Sequence, residues 1–248
     1  MRGLFVTGTD TDVGKTIVSA ALIAAMAAAG EAVRAHKPIV TGLDEPANER
    51  GWPADHELLG TVARMSPREV SPLRFGSAAS PHLAAALAGQ RIEPAQLVAA
   101  AHSGPAEATV IVEGVGGLLV PLAEDYSVRD LAVDLALPLV IAARPGLGTI
   151  NHTLLTLAAA RDAGLHVAAV VLTPWPARPD AIAQSNRDTI ERLGAVEVAV
   201  LEPVGRQIVA ELARVGSALP WQRWLQAGGA HEQSGPRAPR AQADRREN

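Results

Sequence analysis

Cysteine is absent from this sequence, and aromatic residues are scarce. Without cysteine the chain forms no disulfide, no thiolate metal site and no cysteine nucleophile. Aromatic residues make up 3% of its 248 residues, while hydrophobic residues make up 48%. Alanine, leucine and valine must therefore fill the core. The length indicates one domain with an additional tail.

An excess of positive charge is also missing. The formal net charge is -4 at pH 7, which argues against nucleic acid as the main partner. The apolar run at 17–29 is 13 residues long, whereas a bilayer-spanning helix needs about 20. Asp10 and Asp12 precede it, where a signal peptide carries positive charge. We therefore expect a core helix here, no membrane partner and a cytoplasmic protein.

Short β-rich runs alternate with helical stretches along most of the chain. Strands are predicted at 4–8, 32–42, 108–117, 137–146, 166–174 and 196–203, and helices at 17–29, 55–65, 80–89, 151–164 and 179–194. Continuous apolar strands that alternate with helices indicate a mainly parallel α/β sheet, covered by helices on both faces. We predict a single domain over residues 1–227. The remaining 228–248 lack apolar periodicity, which is typical of a disordered tail.

The stretch GTDTDVGKT, Gly8–Thr16, joins the first predicted strand to the first helix. It resembles a phosphate-binding P-loop, although five residues separate Gly8 from Gly14, one more than the usual motif. In such a loop Gly14 lets backbone N–H groups approach phosphate. Lys15 reaches the β- and γ-phosphates, and the Thr16 hydroxyl ligates Mg²⁺. The order of strand, loop and helix therefore predicts a P-loop NTPase-type fold.

A nucleotide-bound Mg²⁺ also needs carboxylates, which the sequence offers at several positions. Glu113 closes the apolar run TVIVEG, and an acid at the end of a buried strand is costly unless it is paired or bound to metal. A loop-exposed glutamate is the alternative. Asp55 is a second candidate, but spacing alone serves Asp44, Glu45 and Glu57 equally well, and Asp55 is also in position to cap a helix.

Two further segments suggest contacts with a ligand. Lys37 follows a predicted strand in HKPIVTG, where a second lysine near phosphate stabilises charge that develops during transfer. A solvated surface lysine is an equal alternative. In GLGTINH, Gly146 and Gly148 offer backbone N–H groups and Asn151 a polar side chain. This segment fits a carboxylate-binding site at a helix start, and a plain capping turn fits it equally well.

Together these segments resemble the dethiobiotin synthetase family. GTDTDVGKT is similar to that family's extended P-loop, in which the additional residue is normal. KPIVTG, DHELL, SPH, VEGVGGLLVPL and LGTINH then follow in the family's order, so that the resemblance covers residues 4–173. It implies a homodimeric ATP-dependent ligase that closes the ureido ring of dethiobiotin from 7,8-diaminononanoate, CO₂ and ATP with Mg²⁺. The implied route runs through a carbamate and a carbamic-phosphoric mixed anhydride.

The resemblance also implies roles for individual residues. Lys15, Lys37 and Thr11 would be catalytic, and Thr16, Asp55 and Glu113 would bind Mg²⁺. The nucleotide would contact Asp12, Val13, Gly14, Lys15, Thr16, Ile17, Glu113, Gly116, Gly117, Thr173 and Pro174. The diamine substrate would contact Asp12 and Thr41, together with Gly148, Thr149, Ile150 and Asn151 of the partner subunit.

Two positions depart from the family's pattern. Asp12 stands where a longer glutamate is common. Thr173, in VLTPWP, stands where the family often places an asparagine that reads adenine, and threonine has no amide fork for a base edge. We therefore expect loose ATP selectivity, or binding of another nucleotide. The nearby Trp175 either stacks on the base or packs on the protein.

A nucleotide-switched regulatory ATPase dimer, of the partition or cell-division type, is the alternative function. Such proteins share the sheet and an extended P-loop, but they carry an additional lysine early in that loop. Residues 9–12 contain none. The segment at 219–226, LPWQRWLQ, is too short and too weakly charged to act as a basic membrane-binding helix. These differences favour the ligase.

Overall fold

A computed structural model describes residues 1–45, 52–205 and 208–227. Its strands are β1 (Gly3–Gly8), β2 (Val33–His36), β3 (Ile39–Val40), β4 (Leu73–Arg74), β5 (Thr109–Gly117), β6 (Pro121–Ala123), β7 (Tyr126–Ser127), β8 (Leu139–Ala143), β9 (Val167–Leu172) and β10 (Val198–Val200). Its helices are α1 (Lys15–Ala28), α2 (Asp55–Ala63), α3 (Pro67–Val70), α4 (Pro81–Leu87), α5 (Pro94–His102), α6 (Val128–Leu135), α7 (Thr149–Asp162), α8 (Ala181–Gly194), α9 (Val209–Gly216) and α10 (Trp221–Ala227).

Six parallel strands form the main sheet, in the order β10-β9-β8-β1-β5-β2. The predicted α/β fold of the P-loop type is confirmed. Strand β1 lies between β5 and β8, so that the chain leaves it toward one side of the sheet and later returns on the other. Ligands bind at such a switch point, beyond the carboxyl ends of the strands. The loop that follows β1 therefore lies at the expected place for a site.

Two apolar clusters cover the two faces of this sheet. One contains α1 with α2, α9 and α10, and the other contains α5 to α8. Helix α1 is buried over nearly its whole length, which explains its run of alanines. At Gly216 of α9 an added Cβ would lie 2.1 Å from the carbonyl oxygen of Ala21. Only glycine permits this close packing of α9 on α1.

Several short elements were not predicted from the sequence. They include α5, α6, the β6-β7 hairpin and the α9-α10 pair that covers α1. The predicted strand at 32–42 is divided into β2 and β3, and β3 pairs with β4 in a separate small sheet. The break falls at Lys37 and Pro38, which places Lys37 at the carboxyl edge of the main sheet.

The bounds of the domain, residues 1–227, remain a prediction. The tail predicted at 228–248 lies outside the described residues. In the described part of the chain, no helix combines the length and the apolar character that crossing a membrane requires.

Candidate active site

The P-loop at Gly8–Thr16 begins at the end of β1 and ends in the first turn of α1. Gly14 is the N-cap of α1, with φ +92° in the left-handed region, and no side chain caps this helix. A Cβ on Gly14 would lie 2.6 Å from Cγ2 of Thr173, so that backbone conformation and space both require glycine. The first N–H groups of α1 have no helical partners and therefore offer donors for phosphate.

Asp10 braces this loop from within. Its carboxylate accepts a hydrogen bond from the Thr11 N–H at 2.7 Å, and its carbonyl oxygen accepts one from Lys15 Nζ at 2.8 Å. Burial lowers the pKa of Lys15, and the charge of Lys37 lowers it further. Lys15 thus points its ammonium group along the loop, where it can exchange the Asp10 carbonyl for a phosphate oxygen.

Lys37 connects two carboxylates at the centre of the site. Its Nζ lies 2.6 Å from Glu113 Oε1 and 2.7 Å from Asp55 Oδ2. The Lys37 side chain is 4% exposed and that of Glu113 is fully buried. Burial lowers the pKa of Lys37, but the two carboxylates outweigh that effect and raise it above its ordinary value. The interpretations of Lys37 as a solvated lysine and of Glu113 as a loop-exposed glutamate are both wrong.

Glu113 also connects the P-loop to this pair. The Thr16 hydroxyl donates to Glu113 Oε1 at 2.9 Å, while Glu113 Oε2 is buried and has no hydrogen-bond partner. A buried, unpaired carboxylate oxygen is costly unless a cation takes it. Together with Thr16 and Asp55 it offers the oxygen ligands that Mg²⁺ prefers. Among the described residues, no group of three or more His, Cys, Asp or Glu side chains is arranged to hold a metal ion.

Asp55 serves this cluster and does not cap its helix. It is the first residue of α2, and Ala54 is the N-cap. The Glu57 carboxylate caps this end by accepting a bond from the Ala54 N–H at 3.1 Å. Burial raises the pKa of Asp55, but the charge of Lys37, the hydrogen bonds from Lys37 and Thr16, and the charge of Lys15 together lower it below its ordinary value. Its contact with Lys37 makes Asp55 a member of this cluster.

The ends of β5 and β9 border the P-loop on two sides. A Cβ on Gly116 would lie 3.6 Å from Thr11 Oγ1, and one on Gly117 would lie 3.7 Å from the Thr9 carbonyl oxygen. Thr173 contacts Gly14, as described above. Trp175 is 7% exposed within the apolar cluster of α5 to α8, so that it packs on the protein. The carboxyl edge thus brings together Thr11, Lys15, Thr16, Lys37, Asp55, Glu113, Gly116, Gly117 and Thr173.

The GLGTINH segment forms a separate loop at the start of α7. Gly148 is the N-cap of this helix, with φ +86° and no side-chain cap. The Asn186 amide of α8 donates to the carbonyl oxygens of Pro145 and Gly146 at 2.9 and 3.2 Å. These two hydrogen bonds connect the loop to α8. Among the described residues, no hydrogen bond or ion pair joins residues 148–151 to the Lys37 cluster. Thr41, after β3, is half-buried.

Arg144 is a contact that the sequence did not reveal. It follows β8 directly, and its Nε and Nη2 donate to the Asp12 carbonyl oxygen at 3.3 and 3.1 Å. Its position after an apolar strand, at the carboxyl edge of the sheet, was the available signal.

The two lysines of the site, Lys15 and Lys37, are the only lysines in the sequence.

Comparison with known proteins gives consistent results. A family model described as an AAA domain matches residues 2–211. The ATP-dependent dethiobiotin synthetase BioD of Anaeromyxobacter dehalogenans (strain 2CP-1) is 42% identical over 222 residues, which are 88% of this chain and 97% of that protein. The protein of the same name from Bacillus subtilis subsp. natto is 36% identical, over 82% of this chain and 87% of its own. The one from Mycobacterium sp. (strain JLS) is 37% identical, over 91% of this chain and 98% of its own.

Solved structures with the same fold are more distant in sequence. Apo McdA from Cyanothece has a TM-score of 0.52 at 11% identity, covering 92% of this chain and 99% of its own. The MinC:MinD cell division protein complex of Aquifex aeolicus has a TM-score of 0.50 at 13% identity, covering 97% of this chain and 99% of its own. At this level of identity the similarity extends to the fold alone.

Proposed function

This chain belongs to the family of ATP-dependent dethiobiotin synthetases, ligases of biotin biosynthesis, and on that premise we propose the task of each residue at the carboxyl edge of the sheet. The observation that carries the proposal is the buried cluster in which Lys37 bridges Asp55 and Glu113, while Thr16 of the P-loop binds the same Glu113. The cluster joins the P-loop to the neighbouring strand ends. It contains charge of both signs but no protein nucleophile.

The reaction that suits this cluster has three bond-forming steps. One amine of 7,8-diaminononanoate attacks CO₂ and loses a proton, which gives a carbamate. A carbamate oxygen then attacks the γ-phosphorus of ATP, and ADP leaves. The second amine attacks the carbamoyl carbon, and inorganic phosphate leaves as the ureido ring closes. Because the substrate supplies each nucleophile, the protein must position the reactants and stabilise their charge.

The two lysines and Thr11 perform this stabilisation. Lys15 exchanges the Asp10 carbonyl for the β- and γ-phosphate oxygens. Lys37, which is buried beside the P-loop, stabilises the carbamate and the phosphoryl group during transfer. The hydroxyl of Thr11, next to Gly116, donates a hydrogen bond to the same oxygens. The N–H groups from Val13 to Ile17 hold the nucleotide phosphates, with Asp12, Gly117, Thr173 and Pro174 around them.

Thr16, Asp55 and Glu113 would hold Mg²⁺ in this scheme. The support is chemical, because all three offer oxygen atoms and Glu113 Oε2 is buried without a partner. When bound, Mg²⁺ neutralises negative charge on the β- and γ-phosphates. The ammonium group of Lys37 neutralises part of the negative charge of Asp55 and Glu113, since it contacts both carboxylates.

We further propose a homodimer in which each site receives residues from the other subunit. Gly148, Thr149, Ile150 and Asn151 of the partner subunit would bind the substrate carboxylate through backbone N–H groups at the start of α7. The adjoining Leu147 is 89% exposed, which suits a residue that a second subunit covers. Asp12 and Thr41 would contact the diamine from within the same subunit, in the cytoplasm where we expect the reaction.

The proposed function is tested by the product. Protein, the diamine, bicarbonate, Mg²⁺ and ATP are incubated together, and dethiobiotin is measured by mass spectrometry. We expect dethiobiotin, ADP and phosphate in equal amounts, and no product when any one reactant is left out. Absence of dethiobiotin, combined with ATP hydrolysis that DNA or lipid stimulates, would instead support the regulatory ATPase.

Nucleotide selectivity is predicted to be loose because of Thr173. Its side chain contacts Gly14 and carries no amide fork, so that the base is not read by a bidentate hydrogen bond at this position. In a competition assay we expect CTP and GTP to support dethiobiotin formation at rates within about tenfold of ATP. A Thr173→Asn variant should shift the preference toward ATP. Strict ATP selectivity of the unmodified protein would contradict this prediction.

A further inference from the structure

Arg144 reaches the P-loop from the neighbouring strand. It is the first residue after β8 and lies at the surface, yet its guanidinium group makes two hydrogen bonds to one atom, the carbonyl oxygen of Asp12. The contact joins residues 132 positions apart in the sequence. Neither bond uses the Asp12 side chain, so that Arg144 acts on the backbone of the loop.

The backbone at Asp12 needs such a restraint. Its φ is +56°, in the left-handed region, which costs a non-glycine residue of the order of 1 kcal/mol. A conformation of this kind persists when its surroundings hold it. The two hydrogen bonds from Arg144 restrain the carbonyl group of Asp12.

Fixing the Asp12 carbonyl also fixes the next donor. The peptide between Asp12 and Val13 is planar, and in a trans peptide the C=O and N–H point in opposite directions. Holding the carbonyl against Arg144 therefore directs the Val13 N–H away from Arg144. The N–H groups that follow, at Gly14 and Lys15, belong to the helix start that offers donors for phosphate.

The end of β8 supports the loop at a second point. The Thr9 N–H donates to the Ala142 carbonyl oxygen at 3.1 Å, and Ala142 lies two residues before Arg144. Strand β8 pairs with β1 in the central sheet, so both supports come from a rigid element. They restrain the loop at Thr9 and at Asp12.

We propose that Arg144 is a positioning residue of the P-loop, which holds the Asp12–Val13 peptide in the orientation that binds nucleotide phosphate. This inference rests on the proposed nucleotide site. The loss of Arg144 then weakens nucleotide binding, while the fold remains.

The test uses the full chain and measures nucleotide binding separately from turnover. Arg144→Met should raise the dissociation constant for Mg²⁺-ADP about tenfold. Arg144→Lys should recover part of this loss, because one ammonium group can still donate to the carbonyl. Arg161→Met is the matched control, since Arg161 also donates to backbone carbonyl oxygens, those of Gly194 and Ala195, and it should bind ADP like the unmodified protein.

A second measurement follows the loop directly. With isotope-labelled lysine the chain gives side-chain NMR signals from Lys15 and Lys37 alone, and a Lys37→Arg variant assigns them. In Arg144→Met the Lys15 signal should shift, because Lys15 binds the Asp10 carbonyl in the same loop, and the Lys37 signal should stay.

Three outcomes are decisive. Unchanged ADP affinity with an unmoved Lys15 signal would overturn the proposal, and so would equal losses of affinity in the Arg144 and Arg161 variants. If the unmodified protein makes no dethiobiotin but Arg144→Met still weakens ADP binding selectively, the proposed reaction fails and the positioning role stands.

Discussion

Replacing Lys37 with methionine should reduce kcat for dethiobiotin formation about a thousandfold. Lys37 is the buried cation beside the P-loop, and methionine keeps its approximate volume without its charge. The carbamate and the transferring phosphoryl group both lose a stabilising charge that matters most in the transition state. Because Lys15 and the loop backbone remain, the dissociation constant for ADP should change less than about threefold.

The same variant should be less stable, for a separate reason. It leaves Glu113 and Asp55 without their shared cation. We expect the free energy of unfolding to fall by about 3 kcal/mol, the lower end of the range for removing one partner of a buried ion pair. The lower end applies because the Asp55 side chain is 46% exposed. Adding Mg²⁺ should raise the melting temperature of Lys37→Met more than that of the unmodified protein, since a cation then returns to the carboxylates.

Controls separate the two effects of Lys37. Lys37→Arg keeps a positive charge between the carboxylates and should restore most of the melting temperature, while its larger, planar group restores little of kcat. Quenched assays read by mass spectrometry give kcat, and thermal unfolding gives stability. If folded Lys37→Met kept a kcat close to that of the unmodified protein, Lys37 would have no part in the chemistry.

Glu113→Gln is the second substitution with a large expected effect. Glutamine has nearly the same shape, and Lys37 remains paired with Asp55, so we expect the variant to fold. It lacks the negative charge of the carboxylate that Thr16 and Lys37 contact through Oε1. It also replaces one of the two carboxylate oxygens, of which Oε2 is buried without a partner. The apparent affinity for Mg²⁺ in the nucleotide complex should fall at least about a hundredfold, and kcat at saturating Mg²⁺ about a thousandfold.

Glu57→Gln provides the matched control for this substitution. Glu57 lies in the same region, but its carboxylate caps α2 through the Ala54 N–H, and glutamine can still accept that bond. A Mg²⁺ titration of activity, together with the increase in melting temperature caused by Mg²⁺-ADP, compares the two variants. Equal Mg²⁺ dependence in Glu113→Gln and Glu57→Gln would remove Glu113 from the metal site.

The sheet and the P-loop could be predicted from the sequence because their signals are local. Apolar strands at 4–8, 108–117 and 137–146 alternate with helices, and Gly14, Lys15 and Thr16 stand between a strand and a helix. Helices α9 and α10 were not predicted. Each is only two turns long, too short for a helical period to be clear, and what stabilises them is packing on α1.

The contacts within the site depended on the fold. The sequence suggested Lys37, Asp55 and Glu113 separately. It left a solvent-exposed alternative for Lys37 and Glu113, and for Asp55 a capping role or replacement by a nearby acid. Their contact with one another becomes evident only when β2 lies beside β5 and α2 begins next to Lys37. The only signal for Arg144 was its position after an apolar strand, and its contact with Asp12 becomes evident only when β8 pairs with β1.

We expect this cluster to promote the transfer of the γ-phosphoryl group of ATP to a carbamate oxygen. The most direct test supplies CO₂ labelled with heavy oxygen in ordinary water and quenches the reaction within one turnover, before the label exchanges with solvent. Mass spectrometry of the products should find one labelled oxygen in inorganic phosphate and one in the ureido carbonyl of dethiobiotin. Dethiobiotin formed together with unlabelled phosphate would contradict this transfer, because the phosphate would then have come from attack by water on ATP.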